Sequence, residues 1–305
     1  DQWFMAHPED LFGRPPEPSV VNPDNPHVVD PHLRCAAHEL PLTHADERWW
    51  GAALEDGVRR LALDDELVVR HRGRRNEPIA VWNGAGWPAH GVGLRSAGGA
   101  PVQIVDAGSG DRIGDVDRER APAQVHEGAS YLHQGQAWRV VSLDLDAGVA
   151  EVRRDDGLTY TVPRSDSRVR LLEIDAHRPL GRGWLHLGEV EVCARVVGYQ
   201  RKEVLTGALV AAEPLELPES VLRTRAVWWV LPVDAWDVAD LGLERLPGAL
   251  HAAEHASIGM LPLFAICDRW DVGGLSTPRH ADTGLPTVIV YDAVQGGAGV
   301  AELGY

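Results

Sequence analysis

The stretch from Leu250 to Glu302 constrains the fold of this chain more than any other part of it. It reads LHAAEHASIGMLPLFAICDRWDVGGLSTPRHADTGLPTVIVYDAVQGGAGVAE. Its pattern predicts a helix over about 246–263, a strand over 287–291 and a glycine-rich turn after Asp292. The strand is apolar on both faces, as in a sheet that is covered on both sides. The helix is mostly apolar as well, so we expect it to be buried.

Three side chains of that helix, His251, Glu254 and His255, match the H-x-x-E-H pattern of one class of zinc peptidases. They lie within about one and a half turns and share a helix face. Two such histidines can bind one zinc ion, and a nearby glutamate can activate water. A second interpretation is a structural polar network that joins them to Asp268 and Asp271 in the following loop. We favour the network, in which none of the five binds a metal.

The glycine cluster 296–299 follows the strand, and such a turn can cradle a phosphate if it opens a helix. It lacks the GxxxxGK[ST] arrangement of a Walker loop, however. The only lysine of the chain, Lys202, follows no glycine loop, and no DExx box lies within a βα pattern. We therefore expect these residues to bind no cofactor and to hydrolyse no ATP by themselves.

The net charge of −16 argues against binding of nucleic acid over the whole surface, so contact with DNA requires a local basic patch. A candidate patch is formed by Arg59, Arg60, Arg70, Arg72, Arg74 and Arg75. Three widely separated cysteines fit a reducing cytosol better than a disulfide scaffold. No apolar run approaches the length that spans a bilayer, so we expect no membrane partner.

The N-terminal third predicts helices followed by a hairpin. Six prolines over 13–31 favour extended chain that hugs the surface, and Asp30 and Pro31 are then placed as the cap and first residue of a helix. A second helix is expected from Glu47 to about Arg60, after Thr43 as its cap.

Strands at 67–70 and 79–82 flank the basic tip HRGRRNEP. Helices followed by a basic hairpin are the order of a winged helix.

From about residue 90 to 175, short alternating runs separated by turns predict a small antiparallel barrel or sandwich. We therefore expect an α+β multidomain chain. Residues 1–88 form an extended segment and a winged helix, residues 89–175 a β-barrel-like domain, and residues 176–305 an α/β module.

Eight short segments, in order along nearly the whole chain, resemble one family. They are DQWFMAHPEDLFGRPPE, PHLRCAAHELPLT, IGDVD, GASYLHQGQAWRV, ALHAAEHA, CDRWDVGGLS, HADTGLPTVIVYD and GGAGVAE. They resemble the region after the two motor domains in the Hrq, MrfA and SftH group of superfamily 2 DNA helicases, most of all its mycobacterial SftH-type branch. One departure is Gln295, where the family has proline before the double glycine.

The resemblance implies a 3′-to-5′ DNA-dependent ATPase and helicase of DNA repair, of which this chain is the non-motor C-terminal accessory region. It implies that ATP and Mg²⁺ act at the motor domains in cis, and that the partner is single-stranded DNA. It also implies a four-cysteine zinc cluster beyond Tyr305. The chain begins with Asp1 rather than methionine, which indicates a piece of a longer protein. We expect a cytoplasmic protein associated with the bacterial nucleoid.

Two other functions stay open on the sequence alone. One is a zinc-dependent hydrolase that uses His251 and His255, with Glu302, Asp268 or Asp271 as the third ligand. The other is a protein-interaction platform without DNA contact. Bound metal with peptidase activity would support the hydrolase, whereas salt-sensitive binding of a single strand would support the DNA-binding function.

Overall fold

The computed structural model describes residues 2–14, 19–74, 76–94, 100–232, 242, 244–268 and 270–305. Buried apolar side chains cluster separately in the N-terminal helices, in a middle sheet and around a C-terminal sheet. The chain is thus an α+β protein of several packed units, which confirms the predicted fold class. None of the described helices is long and apolar enough to cross a membrane.

The N-terminal unit is a set of helices followed by a two-stranded hairpin. Its helices are α1 (Gln2–Ala6), α2 (Pro8–Gly13), α3 (Pro26–Glu39), α4 (Glu47–Trp50) and α5 (Ala53–Leu63). The strands β1 (Leu67–Arg72) and β2 (Glu77–Trp82) pair antiparallel and contain the two predicted strands. Leu33 of α3 and Leu61 of α5 are buried in the core of this unit. The order of elements is that of the predicted winged helix.

The start of α3 differs from the prediction, which placed Asp30 as the cap and Pro31 as the first helical residue. In the structure Asn25 caps the helix by accepting a backbone N–H of the first turn at 2.9 Å, and Pro26 is the first residue. Pro31 lies inside α3, and Asp30 instead pairs with Arg60 at 2.7 Å. The prediction is wrong because the chain contains two start signals of the same kind, and the earlier one is used.

The helix predicted from Glu47 to about Arg60 is divided into α4 and α5. Gly51, with a φ of +56°, ends α4 in a conformation that glycine adopts at little cost. Thr43 acts as a cap, but of the short 3-10 helix His44–Asp46 that precedes α4. The Asp46 carboxylate accepts the backbone N–H of Thr43 at 2.8 Å.

The middle unit is a five-stranded sheet in the order β4-β3-β7-β6-β5. Its elements are β3 (Val102–Asp106), β4 (Arg112–Val116), α6 (Ala121–Gln124), β5 (Ser130–His133), β6 (Gln136–Asp144) and β7 (Val149–Arg154). Short strands separated by turns are found as predicted. However, β3 and β7 pair parallel, so the sheet is mixed rather than purely antiparallel.

The C-terminal unit is built on a six-stranded antiparallel sheet in the order β10-β9-β11-β13-β12, with β8 paired to β9. Its strands are β8 (Thr159–Leu180), β9 (Gly183–Glu203), β10 (Leu209–Pro214), β11 (Ser220–Val230), β12 (Val272–Thr277) and β13 (Thr287–Asp292). The boundary expected after residue 175 falls inside β8. The chain instead passes from the middle sheet to this sheet between the end of β7 and the start of β8.

Two helices complete this unit, α7 (Leu246–Met260) and α8 (Val300–Gly304). β13 is covered on both faces as predicted, since four of its first five residues are buried. α7 packs against β12 and β13, but only Leu246, Leu250 and Glu254 of this helix are buried. The expectation of a buried helix is therefore wrong for most of α7, whose alanines and glycines carry little apolar surface.

Candidate functional site

The end of the first hairpin presents the predicted basic patch, and we call residues 70–74 and 76–79 the wing. Arg70, Arg72 and Arg74 are exposed there, and none forms an ion pair with another described residue. Arg70 and Arg72 are two residues apart on β1, so they lie on the same face of the hairpin. Arg75, also predicted to bind DNA, lies outside the described residues. The wing also contains one carboxylate, Glu77, opposite Arg72 on β2, so its three arginines still give this acidic chain a local excess of positive charge that attracts anions.

Arg59 and Arg60 of α5 are already paired within the protein. Arg59 donates to Glu55 at 2.9 Å and to Asp56 at 3.1 Å. Arg60 donates to both carboxylate oxygens of Asp30, at 2.9 and 2.7 Å, and so ties α5 to α3. A phosphate would have to compete with these carboxylates. Contact of Arg59 and Arg60 with DNA stays a prediction.

The structure brings His251, Glu254 and His255 together on α7, and we call them the His–Glu cluster. Their potential ligand atoms all lie within 4.8 Å of one another. His251 Nδ1 is 3.3 Å from Glu254 Oε2, and the Ser276 hydroxyl of β12 donates to that same oxygen at 2.5 Å. Glu254 is buried, whereas both imidazoles are exposed, with ring centroids 4.4 Å apart. Glu254 therefore links α7 to β12 while the histidines lie at the surface.

Asp268 and Asp271 form a turn just before β12. The Asp271 carboxylate accepts the backbone N–H of Asp268 at 2.7 Å, and the Asp271 N–H donates to the Asp268 carbonyl at 2.9 Å. The Asp271 carbonyl in turn accepts the N–H of Ala293, which follows β13, at 2.8 Å. The turn thus holds the start of β12 beside the end of β13. A single network joining both aspartates to the His–Glu cluster stays a prediction.

Asp292 ends β13 and is completely buried. Its carboxylate accepts three backbone N–H groups, from Ala298 at 2.7 Å, Gly299 at 2.9 Å and Ala301 at 2.9 Å. Burial raises the pKa of Asp292 to about 6, although the N–H of Gly299 acts in the opposite direction. The glycine turn that can cradle a phosphate is thus filled by the chain's own carboxylate. We call this arrangement the Asp292 turn.

Glu302 of α8, one possible third zinc ligand on the sequence, lies in an ion-pair group of its own. Arg225 of β11 contacts Glu302 at 2.9 Å and Asp175 of β8 at 2.5 Å. The guanidinium thereby joins α8 to the sheet. Glu302 is thus paired with Arg225 and links α8 to β11.

Residues 19–25, which we call the strap, run from the N-terminal unit across the C-terminal one. Ser19 forms an isolated parallel bridge with Ile266, and Val20 packs against the apolar cluster that contains Val300. Residues 19–22 form no helix, as predicted, but residues 22–25 form a turn in which the Asn25 N–H donates to the Asn22 carbonyl at 3.3 Å. The rest of the segment predicted to be extended, from Pro26 to Pro31, is helical.

Asn25 fastens the strap at its end. Its side-chain amide donates to the carbonyls of Gln295 at 2.8 Å and Gly297 at 2.9 Å, while its oxygen caps α3. Asn25 is buried and connects the winged helix to the Asp292 turn. Sequence reasoning missed it, although an asparagine directly before a proline is a helix-start signal.

Two known families match parts of the chain. Residues 21–97 match the family described as ATP-dependent helicase HRQ1, winged helix domain, and residues 253–305 match the family described as MrfA Zn-binding domain. The first span contains α3 to α5 and the wing. The second contains the Asp292 turn and the second half of α7, with Glu254 and His255 but not His251.

Two helicases are similar over most of this chain. The protein named uncharacterized ATP-dependent helicase YprA of Bacillus subtilis is 35% identical over 306 residues, which are 99% of this chain and 39% of that protein. ATP-dependent helicase HRQ1 of Saccharomyces cerevisiae is 24% identical over 277 residues, 87% of this chain and 25% of that protein. This chain therefore spans two fifths or less of the length of these relatives.

Solved structures of a helicase are also similar to nearly the whole chain. The crystal structure of the DUF1998 helicase MrfA bound to DNA is 34% identical, with a TM-score of 0.59, over 99% of this chain and 39% of that one. A crystal structure of MrfA described without DNA is 31% identical, with a TM-score of 0.62, over 99% and 41%.

The fold and the wing define a multidomain α+β region with a winged helix. The chain is homologous to the YprA, Hrq1 and MrfA helicases, and it fits the C-terminal accessory region of that family, as its motifs indicate.

The name of the second matched family implies zinc, so the available ligands matter. Between residues 253 and 305 the chain has one cysteine, Cys267, which cannot by itself form a thiolate cluster. In the part of the chain that the structure describes, the group of close ligand atoms is the His–Glu cluster. Imidazole nitrogens and carboxylate oxygens are ordinary zinc ligands, so this donor set fits the ion.

Proposed function

We propose that this chain is the non-motor region of an ATP-dependent 3′-to-5′ DNA helicase of DNA repair, and that its wing binds and steers single-stranded DNA. The observation that carries the proposal is the set of exposed wing arginines, which have no ion-pair partner among the described residues. The match to the HRQ1 winged helix supports a role of this unit in a helicase. The structure of MrfA bound to DNA supports DNA as the partner.

Exposed aromatic side chains favour a single strand over a duplex. Trp49 is 73% exposed, with the Arg48 guanidinium 4.9 Å from its ring centroid, and Trp87 is 57% exposed. Unpaired bases stack on such rings, each stack contributing about 1–3 kcal/mol. In this proposal the arginines hold the phosphates and the tryptophans hold bases.

ATP and Mg²⁺ act, in this proposal, at motor domains in the same polypeptide. Lys202 lies on β9, within the antiparallel sheet, and the glycine turn is filled by Asp292. Met5 of α1 and Phe12 of α2, 85% and 87% exposed, offer an apolar surface to the motor.

In this proposal the cysteine zinc cluster lies beyond Tyr305, and the protein acts in the cytoplasm at the nucleoid. The three proposed domains keep their order, with the second boundary moved to residue 158.

Salt dependence of DNA binding tests the wing. Each phosphate contact on a single strand adds about 0.7 to the slope of log K against log salt concentration, because bound counterions are released. Changing Arg70, Arg72 and Arg74 to Ala together should lower that slope by about 2. Fluorescence anisotropy with a labelled oligonucleotide over a series of salt concentrations measures it.

The matched control changes Arg153, Arg164 and Arg195 to Ala. These arginines are exposed on β7, β8 and β9, so the change in net charge is the same. The slope should then stay close to that of the unchanged chain. Equal slopes for the two triple variants would remove the wing from the DNA path. DNA-stimulated ATP hydrolysis by residues 1–305, free of contaminating ATPase, would contradict the placement outside the motor.

A zinc hydrolase is less well supported. Glu254, which would have to activate water, is buried and accepts a hydrogen bond from Ser276 at 2.5 Å. Its position suits a link between α7 and β12 better than a general base.

A further inference from the structure

We propose that the His–Glu cluster of α7 is a binding site for one Zn²⁺ ion, separate from any cysteine cluster after Tyr305. The proposal departs from the sequence-based expectation of a polar network without metal. It does not rest on DNA binding, because the cluster lies on the C-terminal unit and the wing on the N-terminal one.

The spacing of the donor atoms suits a tetrahedral ion. With zinc–ligand bonds of about 2.0–2.2 Å, neighbouring ligand atoms are roughly 3.4 Å apart. His251 Nδ1 and Glu254 Oε2 are 3.3 Å apart, which is one such edge. The other ligand atoms lie within 4.8 Å, and both imidazoles are exposed. Rotation of an exposed ring can therefore close the remaining distances without moving the backbone.

The carboxylate is held in place before any ion arrives. Ser276 donates to Glu254 Oε2, and a Cβ atom at Gly274 would lie only 2.7 Å from Glu254 Oε1. The bare backbone of β12 thus leaves room for the carboxylate, and the hydroxyl orients it. Hydrogen bonds of this kind to a ligating side chain commonly tune metal affinity.

The two histidines are poorly explained by a structural role. His255 makes no hydrogen bond to another described residue, and the hydrogen bond of His251 is the one to Glu254. Two exposed imidazoles four residues apart beside an anchored carboxylate are better suited to a cation. Two nitrogen donors select zinc over magnesium or calcium, which prefer oxygen ligands. Three protein ligands leave a fourth position for water.

Titration calorimetry tests the site on chelator-treated chain 1–305 with zinc chloride. We expect one equivalent bound. His255→Ala should weaken binding at least about tenfold, and Ser276→Ala by about 10–100-fold, because the carboxylate loses its orientation. Cobalt(II) as a substitute should give the visible absorption of a tetrahedral site, and His255→Ala should abolish it. The matched control changes His177 and His186 to Ala together. It removes another pair of neighbouring histidines, whose ring centroids are 6.1 Å apart, and should leave the zinc affinity unchanged.

His255 is exposed, so its replacement should leave the circular dichroism spectrum and the melting temperature of the zinc-free chain unchanged. Failure of the unchanged chain to bind zinc at micromolar concentrations would overturn the proposal. So would binding that persists in His255→Ala and disappears in Cys267→Ser.

Discussion

The wing and the Asp292 turn handle charge in opposite ways. In the wing, three cations are exposed and have no ion-pair partner among the described residues. In the Asp292 turn, one anion is completely buried and accepts three backbone N–H groups. An exposed charge without a partner costs the fold little and is available to a ligand. A buried charge must be compensated within the protein, so it serves the fold.

The comparison matters because both regions are candidate phosphate sites on the sequence. One has a basic tip and the other has a glycine cluster after a strand. Of these two regions, the wing is the one whose charged side chains are free to bind a phosphate. In the glycine turn, the N–H groups of Ala298 and Gly299 already donate to Asp292. Whether the charged or N–H groups are already paired within the protein, rather than the residue types present, therefore distinguishes the wing from the glycine turn. Four predictions test this difference, ordered from the largest expected effect.

Asp292→Ala should destabilise the C-terminal unit by roughly 3–5 kcal/mol, because three backbone N–H groups, of Ala298, Gly299 and Ala301, lose their acceptor and two of these hydrogen bonds are buried. Urea unfolding followed by tryptophan fluorescence measures this change. The control is Asp282→Ala, which removes a 38%-exposed carboxylate that accepts one N–H from Leu171 at 2.8 Å. Its effect should be about 1 kcal/mol or less. Equal effects of the two changes would mean that burial does not distinguish these carboxylates.

Stability should depend on pH through Asp292. Its pKa is raised from 3.8 to about 6, so the folded state binds the proton more tightly than the unfolded state. The resulting stabilisation is complete below about pH 4 and is lost as pH rises through about 6, a change of roughly 3 kcal/mol. Asp292→Asn removes this titration. The difference in unfolding free energy between the unchanged chain and Asp292→Asn should therefore fall over this range, and a flat difference would contradict the assignment.

Asn25→Ala should destabilise the protein by about 2 kcal/mol, since it removes a helix cap and two hydrogen bonds to the Asp292 turn, one of them buried. Asn83→Ala is the control, because Asn83 donates one exposed hydrogen bond, to the Asp65 carbonyl at 2.9 Å. Asn25→Asp retains the capping acceptor but loses both donors. If Asn25→Asp were as stable as the unchanged chain, the bonds to the turn would contribute nothing.

Removal of the three wing arginines should have the smallest effect on stability. Arg70, Arg72 and Arg74 are exposed and form no ion pair with another described residue, so the triple Ala variant should stay within about 0.5 kcal/mol of the unchanged chain. The same urea titration measures it. A loss as large as that of Asp292→Ala would show that the wing cations serve the fold after all.

Local patterns made much of the fold predictable. β13 is a run of apolar residues, and the wing is a basic tip between two strand patterns, so short stretches of sequence were enough. The start of α3 was missed because two Pro-containing signals lie five residues apart and local sequence does not rank them. The parallel pairing of β3 with β7 depends on contacts about 45 residues apart, which periodicity does not encode.

The same limit applies to the candidate sites. Helical spacing places His251, Glu254 and His255 on one face, but it does not reveal Ser276, which anchors the carboxylate from another element. The cluster 296–299 looked like a phosphate turn because sequence shows its glycines but not its occupant. Asp292 lies directly before this cluster in the chain, yet its burial became visible only in the folded structure.

The strap has a consequence for the order in which the protein is made. Asn25 leaves the ribosome before its two carbonyl partners, which follow 270 and 272 residues later. The winged helix has its own buried core and can form while translation continues. Its attachment through Asn25 must wait until the Asp292 turn has been synthesised. A nascent chain halted before residue 295 would therefore carry a folded N-terminal unit that lacks the hydrogen bonds from Asn25 to the Asp292 turn.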